Sequence, residues 1–358
     1  MINRERLVKT FCELAEIDSP SGEEEDMAID LTRRLISLGF QTARDSYNNL
    51  IATKGEGDPI LLSAHMDTVE PGRGIKPKVD EDRIVSDGTT IVGGDCKAGV
   101  AAILEALNSI KEDNVECHPV ELVFTREEEI GLVGARNLDF SLISAKEAII
   151  FDGEGPVSQI TSSSPTYIGF DVEITGRSAH AGVEPEKGLS AIKVAAELIT
   201  RFPQGRLDKN TTFNIGTIEG GSVRNAVAET TIIRGEFRSS NIETLDEISA
   251  DIQTALKEVR TLYPEAILDD HLHTEFEMYN LSDNDPATIR VKYALKKLGL
   301  KPTMKPSGGG TDGNVFRLNG ISSVVVGMAD NGMHTTREFV TIPDLVDAAH
   351  LCETLLRI

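Results

Sequence analysis

Basic residues are scarce in this chain: 36 Lys and Arg stand against 58 Asp and Glu over 358 residues, a formal charge of −22 at neutral pH. That excess of negative charge repels phosphate backbones and anionic headgroups, so nucleic acid and membrane surfaces are excluded as default partners. Long apolar runs are missing too. No segment approaches the roughly 18 uninterrupted apolar residues of a bilayer-spanning helix, and the opening MINRERLVKT is charged where a secretory signal needs an apolar stretch. The expected location is therefore the cytoplasm. Cysteine is sparse and scattered: Cys12, Cys96, Cys117 and Cys352 form no CxxC pair, which argues against both a disulfide framework and a thiolate zinc site.

What is present suffices for a core, since 40% of the residues are hydrophobic and the length is that of two ordinary domains. Apolar residues recur at helical spacing from Leu7 to Ile17, and a second helix is expected to run to Leu38, with Ser21 and Glu24 as a capping box and Gly39 as its stop. Short apolar runs at 59–64, 120–124, 148–151 and 323–327 read as buried strands. Helical patterns at 98–110 and 286–298 lie between them, the latter capped by Asp285 with Pro286 at its first position. This alternation predicts an α/β fold, a mixed but largely parallel sheet flanked by helices, built from residues 1–163 and 274–358. Residues 164–273 break it. Their order is strand (167–174), helix (188–201), strand (212–219), strand (226–238), helix (242–262) and a short strand near 271–278, as in an inserted, four-stranded α+β domain of ferredoxin-like kind.

Metal-ligating residue types follow the predicted strands, at the edge where open α/β sheets bind ligands. His65 and Asp67 follow the first run, Glu127, Glu128 and Glu129 the second, Asp152 the third and His334 the fourth, while Asp95 precedes the helix at 98. Each has an ordinary reading alone: a solvated acidic loop, a turn with a cap, a surface histidine. Five segments at one sheet edge change the balance. A group of buried carboxylates without a cation is very costly, and two histidines with Asp and Glu suit zinc, manganese or cobalt. The pattern predicts a two-metal hydrolytic centre.

His65-x-Asp67, Gly93-Gly94-Asp95-x-Lys97-Ala98-Gly99, Thr125-x-Glu127-Glu128-Glu129-x-Gly131, Asp152-Gly153, the stretch from Gly176 through His180 to Gly188, and Ser307-Gly-Gly-Gly-Thr-Asp312 together resemble the M20 metallopeptidases, most closely the peptidase T-like branch. The resemblance runs through essentially the whole chain in order. It implies a zinc-exopeptidase-like fold whose insert is a lid and dimerisation domain, and a homodimer. It implies that His65, Asp95 and Asp152 hold one divalent ion and Asp95, Glu129 and His334 a second, the pair being zinc, with cobalt or manganese as alternatives. Asp67 would orient the His65 imidazole. Glu128 would be the general base, with Glu127 as a rival. His180 would stabilise the oxyanion, from the opposite subunit. Arg238, with Arg234 as a rival, would meet a substrate carboxylate, Asn225 would contact substrate from the insert, and the glycines around Gly309 would let backbone amides approach it.

The expected activity is an aminopeptidase that releases the N-terminal residue from short peptides, tripeptides in particular. Two alternatives stand beside it: an amidohydrolase acting on N-acyl amino acids, and a non-catalytic metal-binding dimer. The same ligand set serves the first two, and only the pocket for a free amine or an acyl chain separates them.

Overall fold

Two strands are dry on both faces, which is why their sequences read as unbroken apolar runs: every residue of Ile60–His65 and of Val120–Thr125 is buried. In the computed structural model, which describes residues 1–358, they sit inside a nine-stranded sheet. Ile60–His65 pairs in parallel with Val120–Thr125 on one side and Glu147–Gly153 on the other, and Glu147–Gly153 pairs in parallel with Ser322–Gly327. Four strands thus point the same way and end at one edge. Antiparallel strands Leu50–Lys54 and Gln41–Arg44 extend the sheet beyond Val120–Thr125.

This sheet belongs to the first of two units, Met1–Ser163 with Tyr279–Ile358; the second is Ser164–Met278. In the first, the helix Gly94–Asp113 is buried from Ala98 to Leu107 without a break, the composition of a helix enclosed between layers. It packs on the sheet and against the helices Arg4–Ala15 and Ile342–Leu356. Gly99 allows the close approach, for a Cβ there would lie 2.5 Å from that of Phe151. No helix of the protein is long and apolar enough to cross a membrane.

The expected capping box of the second helix does not form. Glu25–Ser37 starts without a side-chain cap, because Ser21 Oγ donates to Asp67 (2.6 Å) and Glu24 Oε1 accepts from the backbone of Gly22 (2.7 Å) and Glu127 (3.1 Å). Both residues are drawn into the loops at the carboxyl edge of the sheet.

The second unit is a five-stranded antiparallel sheet in the order Gly205–Asp208, Thr211–Gly220, Thr230–Ser239, Thr166–Thr175, Ile267–Phe276. The extra strand Gly205–Asp208 lay unseen in a polar stretch that is exposed throughout. The helices Ala191–Ile199 and Ile242–Leu262 pack against the sheet over a core that includes Phe170, Phe213 and Phe237. The first of them starts later than its periodicity suggests, because Leu189 bridges Arg177 in extended form and Ser190 caps the helix from Lys193 N.

Asp285 closes the start of the helix Pro286–Lys297 as expected, accepting from Thr288 N (3.0 Å) and Oγ1 (2.7 Å) and from Arg317 (2.9 Å). Burial opposes its ionisation, yet the Thr288 donors and the Arg317 guanidinium hold its carboxyl below the usual range. A carboxyl depressed by folding stabilises the native state above its unfolded pKa and loses that contribution as pH falls through the folded value. Asp285→Ala is expected to cost about 1–2 kcal/mol at pH 7 in urea unfolding, with the gap to wild type narrowing as pH falls below the unfolded aspartate value of about 4. A gap that stays open in acid would show that the charge is not what matters.

Candidate metal centre

The four parallel strands deliver their loops to a common point. His65 ends the first strand, with Nδ1 2.9 Å from the carbonyl oxygen of Asp67. A carbonyl only accepts, so Nδ1 carries a proton and Nε2 is the nitrogen left to meet a cation. Nε2 faces Asp95 Oδ1 at 3.0 Å and Asp152 Oδ1 at 3.7 Å. His334, in a left-handed conformation (φ 61°), points its Nε2 at Asp95 Oδ2 (3.2 Å) and Glu129 Oε2 (3.0 Å). Asp95 therefore gives one oxygen to each histidine.

Two clusters result, His65 with Asp95, Cys96 and Asp152, and Asp95 with Glu129 and His334, the potential ligand atoms within each lying within 4.8 Å of one another. Cys96 follows Asp95 through a cis peptide bond, and its thiol donates to the Phe151 carbonyl. Glu129 Oε1 and Asp152 Oδ2 are buried and have no hydrogen-bond partner. Orphaned carboxylate oxygens beside imidazole nitrogens, in two sets that share an aspartate, fit a pair of divalent cations.

Asp67 sits beneath, wholly buried. Its carboxylate lies 3.4 Å from His65 Nδ1 and accepts from the backbone N–H groups of Glu128 (3.0 Å) and Glu129 (3.2 Å) and from Ser21 Oγ (2.6 Å). It thereby fixes the loop that carries both glutamates. Glu127, at φ 50°, turns the other way, accepting from the Tyr47 hydroxyl and pairing with Arg126. Of the two base candidates, Glu128 lines the same cavity as Asp95, Asp152, Glu129 and His334, and Glu127 does not.

Sequence reasoning missed several members. Glu338, 2% exposed, accepts from the backbone of Val92 (2.6 Å), Gly93 (2.8 Å) and Asp95 (3.2 Å), gripping the turn that carries Asp95. Asp330 is buried against that turn, and a Cβ on Gly94 would lie 2.1 Å from its Oδ1. Asp312 accepts from Thr125 Oγ1, and its Oδ1 is an orphan. Glu338 and Asp330 had no local signal beyond a single acid in a polar loop, whereas Asp312 closes the Ser307-Gly-Gly-Gly-Thr-Asp312 motif.

The electrostatics ask for positive charge. Burial, then Asp152, Glu129 and Asp312, push the Glu128 carboxyl well above its usual range. Burial does the same to Asp152, with Asp95 adding to it, and raises Asp312 to about 6. Asp95, against the cost of burial, is held down to about 2 by His334 and His65, while Asp95 and Glu129 hold the His334 imidazolium up to about 10.

Alongside lies a cavity of ≈ 390 Å³ lined by Asp95, Glu128, Glu129, Asp152, His334 and the loop from Lys305 to Thr311, Gly309 included. The other sequence-predicted residues lie in the second unit. His180 and Asn225 are exposed, with Ala181 N donating to the Asn225 carbonyl and Gly182 N to His180 Nδ1. Arg238 donates to Glu236 (2.7 Å) and stacks on Tyr167, 4.3 Å from the ring centroid. Arg234 is paired with Glu219 and Asp171.

The chain is similar to the aminopeptidase PepT of Bacillus cereus ATCC 10987: 37% identity, 99% of this chain and 98% of that one, TM-score 0.84. It belongs to the M20 metallopeptidases, in the peptidase T-like branch. A tripeptidase of Staphylococcus aureus is 34% identical over 99% of this chain and 98% of its own, with TM-score 0.89. The uncharacterised protein YqjE of Bacillus subtilis (strain 168) is 36% identical over 99% of both chains. The Peptidase dimerisation domain family matches residues 163–262, and the M42 glutamyl aminopeptidase family residues 80–164. This M20 chain is a metallo-exopeptidase, a hydrolase of peptide bonds.

Histidines held protonated by carboxylates, and carboxyls held protonated by burial, must release those protons to bind a cation. Uptake of zinc by the metal-free protein is expected to release protons and to tighten from pH 6 to pH 8. Calorimetry in buffers of different ionisation enthalpy measures both, and uptake without proton release would refute the electrostatic account.

Proposed function

We propose that this peptidase releases the N-terminal residue from short peptides, tripeptides in particular, with two divalent cations at the cluster that shares Asp95. The observation that carries the reading is the Asp95 carboxylate itself, one oxygen toward each histidine. Held by His65, Asp95 and Asp152 on one side and by Asp95, Glu129 and His334 on the other, two such ions would supply an acidified water and a polarised scissile carbonyl. Zinc suits the ligands best, with cobalt or manganese acceptable to the same donors.

Glu128 then takes a proton from the attacking water as its oxygen bonds to the carbonyl carbon, and delivers it to the leaving amine as the C–N bond breaks. Asp67 keeps the His65 tautomer and holds Glu128 and Glu129 in place through their backbone N–H groups. His180 as oxyanion partner and Arg238 and Asn225 as substrate contacts rest on the M20 resemblance. Arg238 would exchange its Glu236 partner for a substrate carboxylate, a task suited to a planar bidentate donor. The match of residues 163–262 to a dimerisation domain supports a homodimer, and the names of the Bacillus cereus and Staphylococcus aureus relatives support the amino-terminal, tripeptide reading.

Two measurements test it. Metal-reconstituted protein offered an unblocked tripeptide and an N-acetylated amino acid should free the N-terminal residue of the first; cleavage of the acetylated compound alone would reassign the chain to the deacylases. Glu128→Gln should bind metal as wild type does but lose about 10²–10⁴-fold in kcat, and turnover at the wild-type rate would remove Glu128 as the base.

A further inference from the structure

An aminopeptidase must hold the ammonium of its substrate, and that group lies one α-carbon from the scissile carbonyl. The acceptor must therefore be a carboxylate close to the metal ligands yet free of their work. Among the residues lining the cavity, Asp95, Glu129 and Asp152 are taken as ligands and Glu128 as the base. One carboxylate is left, Glu154. It follows Asp152 by two residues, at most about 7 Å of extended chain, and its side chain is half exposed.

Its partner is Lys305, the one Lys or Arg on the cavity wall. The ammonium nitrogen lies 3.7 Å from Glu154 Oε2, with both side chains half exposed. So open a pair is held weakly, and a substrate ammonium can replace it without breaking a buried contact. The rest of the wall agrees. Gln159, Thr161 and Ser307 are polar, and only Pro306 and Met333 offer apolar side chains.

We infer that Glu154 is the acceptor for the free α-amine of the peptide, and that Lys305 is its counter-ion until substrate arrives. The inference rests on the aminopeptidase reading above. It makes the choice between an unblocked and an N-acylated substrate a matter of one carboxylate: an acylated nitrogen carries no charge, so it gains nothing from Glu154 and leaves the Lys305 pair in place.

Steady-state kinetics of the metal-loaded wild type, Glu154→Gln and Lys305→Gln on an unblocked tripeptide test this, with released products identified and the des-amino analogue of the same tripeptide used as a competitive inhibitor. Glu154→Gln is expected to raise KM about tenfold with kcat held within about twofold, and to leave the inhibition constant of the analogue unchanged. Lys305→Gln should lower KM for the tripeptide. Metal content and melting temperature report whether either variant is misfolded. If wild type frees the N-terminal residue but Glu154→Gln keeps its KM, or weakens the analogue equally, the amine assignment is overturned alone. If wild type frees another residue, or cleaves only acylated compounds, the aminopeptidase reading falls and takes the inference with it.

Discussion

Carboxylates gathered in a protein interior repel one another and lose their hydration, so they stay together only around positive charge. That constraint organises the first unit. Asp95, His65, Asp152, Glu129 and His334 come from five segments far apart in the chain, and each arrives at the carboxyl edge of one parallel sheet. A parallel sheet achieves this because its strands all end on the same side, whereas an antiparallel one would send alternate loops to opposite edges. The dry strands and the buried helix Gly94–Asp113 supply the rigidity that such a cluster needs, since any ligand free to turn would turn toward water.

Around the ligands lies a set of residues whose work is to hold backbone. Asp67 accepts from two consecutive N–H groups, at Glu128 and Glu129. The two glutamates stand in a turn, where Gly131 N donates to the Glu128 carbonyl (3.0 Å), so fixing that backbone sets the direction of both side chains. Glu24 continues the support outward, accepting from Glu127 N and from Arg126, whose guanidinium also lies by the Tyr47 ring. Glu338 does the same for the turn at Asp95. Lys97 adds a cation to this acidic interior: its ammonium, wholly buried, donates to the Ile17 carbonyl, and burial pulls its pKa down to about 7 against the pull of Asp18, Glu338 and Asp67.

Much of this arrangement could be read from the chain before any coordinates. Strands dry on both faces left apolar runs, and the residues following them share a sheet edge because parallel strands must. Boundaries were less legible. Ser21 and Glu24 have the spacing of a capping box, but the local benefit of capping, about 1 kcal/mol, yields to hydrogen bonds with Asp67 and the Glu127 backbone that no local pattern encodes. Gly205–Asp208 is a strand only because Thr211–Gly220 offers it an edge. Glu338 and Asp330 were invisible for a related reason. A lone acid in a polar loop looks like any solvated residue until the fold carries it under a turn more than two hundred residues away in sequence.

The same reasoning locates where substrate class is written. Two cations with their ligands and a base, as proposed above, would serve the attack of water on any amide, so nothing in that set would distinguish a peptide from an acylated amino acid. The distinction would come from groups that touch the substrate beyond the reacting bond, and the rest of the cavity wall in this unit includes Glu154, Gln159, Thr161, Met333 and the loop from Lys305 to Thr311. Glu154 and the residues from Ser307 to Thr311 stand outside the strands, in loops that can vary without disturbing the buried sheet. A chain of this fold can therefore keep the whole metal cluster and change its substrate by altering a handful of wall residues. On the inference drawn above, one open ion pair in that wall suits an unblocked peptide, because the substrate ammonium can take the place of Lys305 at Glu154 without disturbing any buried contact.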